Sequence, residues 1–201
     1  MTALRGVYDQ LESVVGSNNI TDDEVILYSY SEDSSPFPGH KPAIVVRASE
    51  TNEVAEIVKI ANRAGMPIVP AGGRSSISGA PTPRVPGAIM LDLTSMDKVK
   101  EMDEDTMTVT VQCGVRWAQL IHELNLKGYK LGFRGPYGGN AGTVGGSLSV
   151  NSVGYGSSKW GGACDNILSL EVVLPTGEVI KTGSGWSPAA KRFARYATFD
   201  D

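Results

Sequence analysis

The apolar positions of the first half switch between helical and strand spacing. Leu4, Val7, Leu11, Val14 and Val15 recur at three- and four-residue intervals, which predicts an amphipathic helix. Thr21-Asp22-Asp23-Glu24 has the form of a capping box and predicts a short helix running to Tyr30. Three prolines and a glycine between Ser31 and Pro42 make that stretch a connector. Ala43-Ile44-Val45-Val46 reads as a short buried strand. Over Thr51 to Ala64, Val54, Ile57, Val58 and Ala61 share one helical face, and Gly65 is placed to end the helix. Pro67-Ile68-Val69 is a second strand. A helix between two strands is a crossover, which favours parallel pairing. Ala88 to Leu93 is a third apolar strand.

The second half is patterned differently. Met107, Val109, Val111 and Cys113 alternate with Thr106, Thr108, Thr110 and Gln112, a period of two rich in β-branched residues. Lys98 to Met102 is the expected hairpin partner across Asp103-Glu104-Asp105. Trp117 to Leu126 is another amphipathic helix. Ile167 to Val173 and Glu178 to Lys181 read as strands joined by the turn Pro175-Thr176-Gly177. The order is α/β first and mostly antiparallel α+β afterwards, with a boundary near residue 96.

Length and composition narrow the function. A chain of 201 residues is one domain or two small ones. Its formal charge of −4 leaves no basic footprint for nucleic acid. No apolar run approaches the roughly 18 residues of a membrane span, and Met1 to Gly6 lacks the layout of a signal peptide. Cys113 and Cys164 form no CxxC pair, and with only His40 and His122 beside them no zinc cluster is expected. These features point to a reduced, cytoplasmic protein without a metal. Glycine departs from the ordinary: 24 of 201 residues, against an average of about 7%.

The glycines cluster in two places. Pro70-Ala71-Gly72-Gly73-Arg74-Ser75-Ser76-Ile77-Ser78-Gly79 follows directly on a strand. Successive backbone N–H groups there can turn inward as an anion-binding nest, and the serines add donors, a layout suited to a pyrophosphate. The bland alternative is a chain-reversing turn. It is neither a P-loop nor a Rossmann fingerprint, because GxxxxGK[ST] is absent and no GxGxxG opens a helix. The second cluster runs from Gly135 to Ser152 and enters a helix-like segment of small residues. Small side chains leave room for a flat ring system, and the segment's first N–H groups could meet a phosphate or a ring carbonyl. Here the alternative is an Ω-loop without a ligand.

Taken together, PAGGRSSISG, GTVGGSLSVNS and the stretch from Asp165 to Val179, in that order and spacing, resemble the FAD-linked oxidases with an FAD-binding domain of the vanillyl-alcohol oxidase type. The glycolate oxidase and D-lactate dehydrogenase FAD subunits are the most similar group, and the resemblance covers about Tyr28 to Gly183. It implies an α+β fold of two lobes with FAD between them: a small parallel-sheet α/β lobe and a larger antiparallel-sheet lobe. The expected division is an N-terminal helical segment over 1–35, a first FAD-binding lobe over 36–96 and a second over 97–201, incomplete at its end. The resemblance implies that Ala71, Gly72, Gly73, Arg74, Ser75, Ser76 and Gly79 wrap the pyrophosphate. It places Pro136, Gly142, Thr143, Gly145, Gly146, Ser149 and Asn151 near the flavin and its ribityl chain, and Ile167 near the adenine.

Relatives that attach FAD covalently use a histidine where this chain has Arg74, or a cysteine just before the second motif, where Tyr137 to Ala141 hold none. FAD is therefore expected to be non-covalent. Arg74 could pair with the diphosphate or be solvated. Cys113, Trp117 and Trp160 are expected to pack, His122 to lie on the surface, and Cys164 to be structural. The implied reaction is oxidation of a small 2-hydroxy acid, glycolate or D-lactate, with hydride passing to the flavin. No catalytic base is identified. The alternative is an FAD-carrying electron-transfer subunit whose partner chain completes the active site. The related cell-wall enolpyruvyl reductase would need substrate residues that the chain does not display.

Overall fold

The computed structural model describes residues 2–135 and 139–183. Helix α1 (Thr2–Val15) is followed by a 3-10 turn over Ser17–Asn19, strand β1 (Ile20–Thr21) and helix α2 (Glu24–Ser29). Strand β2 (Ile44–Arg47), helix α3 (Thr51–Ala64), β3 (Ile68–Ala71) and β4 (Ile89–Asp92) follow. Next come β5 (Val99–Asp103), β6 (Thr108–Val111) and α4 (Trp117–Leu126). The last elements are α5 (Val144–Ser149), α6 (Ser157–Trp160), a 3-10 turn over Ala163–Asn166, β7 (Ser169–Val173) and β8 (Val179–Gly183). The chain divides into two compact units, residues 1–96 with 173–179 and residues 97–172 with 180–201.

The first unit is built on a four-stranded sheet in the order β1-β2-β4-β3. β2 and β3 each pair in parallel with β4, as a crossover through α3 requires, and β1 adds antiparallel to β2. β3 is an edge strand, the position that tolerates Pro70, which has no N–H to give to a ladder. On one face Val45, Met90 and Ala71 pack with Leu27 of α2. Ile44, Val46, Ile89 and Leu91 alternate onto the other face and are almost fully buried. α1 packs on β2 and on α3, whose Ile57 and Ala61 are also buried. Gly65 closes α3 in the left-handed conformation, its N–H donating to the last-turn carbonyls.

Two local expectations change. Thr21 does not cap α2; it ends β1, and Asp23 is the cap, its carboxylate accepting from the amides of Val25 and Ile26 at 3.0 and 3.2 Å. The Thr21 hydroxyl instead accepts from the Asp23 amide. The turn Pro175-Thr176-Gly177 belongs to the first unit, where Asn62 of α3 donates to the Pro175 carbonyl at 2.6 Å.

The second unit contains two two-stranded ribbons, β5-β6 and β7-β8. β5 and β6 are antiparallel, with a register shift between Val99 and Glu101. Their partly buried apolar residues cover a core of Val115, Trp117, Leu120, Leu124, Phe133, Val144 and Ala163. Trp117 is its centre. Its ring meets Phe133 edge-on at 4.9 Å, and its indole N–H donates to the Ser147 hydroxyl at 2.8 Å. Among the described residues no helix is long and apolar enough to cross a membrane.

Candidate functional site

The carboxyl ends of the three parallel strands place Arg47, Asp92 and Ala71 side by side, with Asp92 in register with both neighbours. That edge is where open α/β sheets bind ligands, and the first Gly/Ser loop leaves from it. Asp92 is 3% exposed. One of its oxygens accepts from the Thr94 amide and hydroxyl at 2.8 and 2.6 Å. The other accepts from the Tyr30 phenol at 2.6 Å and lies 3.5 Å from the Arg47 guanidinium. Burial and this carboxylate push the Tyr30 phenol up to about 12, so it stays a donor at any physiological pH.

Residues 71–79 form a loop whose positive φ angles fall at Arg74 (50°) and Gly79 (71°). The Ser76 and Ser78 hydroxyls are hydrogen-bonded to each other at 2.7 Å. The Arg74 guanidinium turns back: one nitrogen donates to the carbonyls of Ser29 and Glu32 at 2.7 and 2.5 Å, and the group stacks 4.5 Å from the Tyr30 ring. The Gly79 amide donates to the Asp33 carboxylate at 3.0 Å. Burial alone would raise the Asp33 carboxyl, but hydrogen bonds from Ser35 and Gly79 and the nearby Arg74 charge outweigh it and hold the carboxyl below its ordinary range. Sequence reasoning passed over Tyr30, Asp33 and Asp92. The signals it offered were Tyr30 and Asp33 beside the connector and Asp92 as a lone acid in an apolar strand.

In the second unit the residues expected near the flavin are arranged around α5. Thr143 is buried and caps the helix, accepting from the Gly146 amide at 3.2 Å. The amides of Val144 and Gly145 donate to the carbonyls of Val115 and Cys113, both at 2.8 Å. The helix start therefore spends these donors on the protein, contrary to the expectation that they meet a phosphate or a ring carbonyl. Ser149 donates to the Gly145 carbonyl, and the Gly142 carbonyl accepts from the Trp117 amide. Asn151, at φ 43°, accepts the Cys164 amide at 3.1 Å. Ile167 lines a cavity of about 260 Å³ with Leu148, Cys164, Leu168 and Leu170. Its largely apolar walls suit the face of a ring. Pro136 lies outside the described residues. Burial pushes the Cys113 thiol up, and the Cys164 thiol is exposed.

Gly145 shows how tightly this motif is built. A Cβ there would sit 2.6 Å from Cys113 Cβ and 3.0 Å from the Cys113 carbonyl oxygen. Gly145→Ala is expected to destabilise the protein by about 1–3 kcal/mol as α5 is pushed from its amide acceptor. The check is a urea titration: the midpoint should fall with an unchanged slope. An unchanged midpoint would mean that α5 moves away freely.

Residues 42–183 match the FAD binding domain family. The glycolate oxidase subunit GlcD of Bacillus subtilis (strain 168) is 32% identical over 179 residues, 89% of this chain and 38% of that protein. The D-lactate dehydrogenase of Anaerostipes hadrus is 31% identical over 180 residues, 89% of this chain and 35% of that protein. Among solved structures, a 4-ethylphenol oxidase from Gulosibacter chungangensis superposes with a TM-score of 0.79 at 25% identity, over 100% of this chain and 39% of that one. The chain thus spans little more than a third of the length of these relatives. With an α+β fold, a Gly/Ser loop at the carboxyl edge of a parallel sheet and a family match over most of its length, the chain belongs to the FAD binding domain family.

Proposed function

We propose that this chain is the FAD-binding part of a flavin oxidoreductase that oxidises a small 2-hydroxy acid of the glycolate or D-lactate type, with FAD held non-covalently. The observation that carries the reading is the Gly/Ser loop leaving β3 at the carboxyl edge of the parallel sheet, within a family match. In this reading Ala71, Gly72, Gly73, Ser75 and Ser76 meet the diphosphate, with Arg74 acting through its backbone, while Gly79, whose amide goes to Asp33, anchors the far end of the loop. Ile167 and the cavity beside it take the adenine, while Gly142 to Asn151 line the flavin. When bound, FAD supplies the hydride acceptor. The chain's own residues bind and orient it.

Non-covalent binding fits the residues in reach. One nitrogen of the Arg74 guanidinium is committed to backbone carbonyls, and the half-buried Cys113 thiol, pushed up by burial, is a poor nucleophile. Free cysteines fit a cytoplasmic setting. The carboxylate anchor and the base of the reaction are assigned to the remainder of the protein or to a partner chain. The alternative reading is an FAD-carrying electron-transfer subunit whose partner chain completes the active site. The test uses the full-length protein. Its absorbance should show flavin bands that glycolate or D-lactate bleaches without air, and acid precipitation should leave the yellow flavin in the supernatant. Failure to take up FAD overturns the cofactor, flavin retained on the precipitate overturns non-covalent binding, and bands unchanged by both acids overturn the substrate class.

A further inference from the structure

The segment Ser29 to Asp33 touches the Gly/Ser loop at both of its ends. At the start of the loop, one Arg74 nitrogen donates to the carbonyls of Ser29 and Glu32, at the carboxyl end of α2, where a cation is favoured. Beneath the guanidinium lies the Tyr30 ring at 4.5 Å, and the Tyr30 hydroxyl is anchored to buried Asp92 at 2.6 Å. At the far end of the loop, the Gly79 amide donates to Asp33, which also accepts from the Ser35 amide at 2.8 Å. Arg74 holds a left-handed conformation that is costly for a residue with a Cβ. The side-chain contacts to residues 29–32 help to offset that cost. Two hydrogen bonds from one nitrogen and the ring contact turn the guanidinium toward residues 29–32, while its buried Nε has no hydrogen-bond partner.

We infer that residues 29–33 are a strut that holds the loop open from behind, so that Tyr30 and Arg74 are positioning residues for the diphosphate and Arg74 is not its direct charge partner. The inference rests on the FAD reading given above. The strut fixes the loop's backbone amides before the cofactor arrives, so the ordering entropy is not lost on binding. Arg74 is suited to this task because its planar fork holds carbonyls and stacks on a ring, which a lysine cannot do together.

The test compares Tyr30→Leu, Tyr30→Phe, Arg74→Ala, Arg74→Lys and the double variant Tyr30→Leu/Arg74→Ala in the full-length protein. FAD affinity is measured by titrating the apoprotein, and amide hydrogen exchange of residues 72–79 is measured without FAD, with α3 as the control for folding. Tyr30→Leu, Arg74→Ala and Arg74→Lys should each weaken FAD binding and speed loop exchange by about tenfold while α3 stays protected. Tyr30→Phe keeps the ring and should lose less. The double variant should lose no more than the worse single, because the two side chains act as one unit. Wild-type affinity in Arg74→Lys together with an unaffected Tyr30→Leu would overturn the strut in favour of a direct charge contact. Additive losses would also overturn it. If the wild type takes up no FAD, the cofactor reading fails, and loop exchange alone still decides the strut.

Discussion

Trp117→Ala should cost the second unit about 3–5 kcal/mol, the range for truncating a large buried aromatic. The indole is 2% exposed and sits in a cluster with Leu120, Leu124, Phe133 and Val144. Removing it deletes the edge-on contact with Phe133 and leaves the buried Ser147 hydroxyl without its indole donor. Ser147 lies on α5, so the same change loosens the helix that carries Gly145, Gly146 and Ser149. Chemical denaturation should show the loss as a lower midpoint, with the second unit's amides exchanging first. Trp117→Phe keeps most of the packing and only forfeits the hydrogen bond, so its loss should be about 1–2 kcal/mol. Equal losses for the two variants would show that the hydrogen bond, not the packing, holds α5.

Asp92→Ala should cost about 3 kcal/mol, because it removes the acceptor of three donors at once. The half-buried Tyr30 hydroxyl is left without its partner, while the amide and hydroxyl of exposed Thr94 must turn to solvent. The stability gap between wild type and variant should depend on pH in one direction. The Tyr30 phenol is raised in the folded protein, to about 12, by burial and by Asp92. Its contribution is therefore complete below the ordinary tyrosine value near 10 and is lost as pH climbs through about 12. Stability measured across that window should fall in the wild type and fall less steeply in Asp92→Ala, where burial of the phenol remains but the carboxylate is gone. A gap that stays constant to pH 12 would mean that the phenol does not stabilise the fold through Asp92.

Periodicity and turn chemistry by themselves determined the elements of this protein. Thr51 to Ala64 forms the helix its apolar face requires, Ala88 to Leu93 contains the central strand β4, and the threonine-valine alternation after Met107 forms an antiparallel ribbon. The Gly/Ser loop was legible as well, because no ordinary turn needs so many small and hydroxylic residues after a strand. Tertiary structure alone decided how those residues are used. Arg74 reads equally as a phosphate ligand or a solvated residue; its guanidinium is claimed by carbonyls 42 and 45 positions earlier. The first amides of α5 look free until the chain brings the Cys113 and Val115 carbonyls onto them. Thr21 has the right spacing to cap a helix and is instead drawn into β1 by pairing with Val45. Helical and strand periods are written in neighbouring residues, because they arise from the local geometry of the backbone. Which donor meets which acceptor depends on groups distant in sequence, and the sheet order and loop course that bring them together are settled only when the core closes.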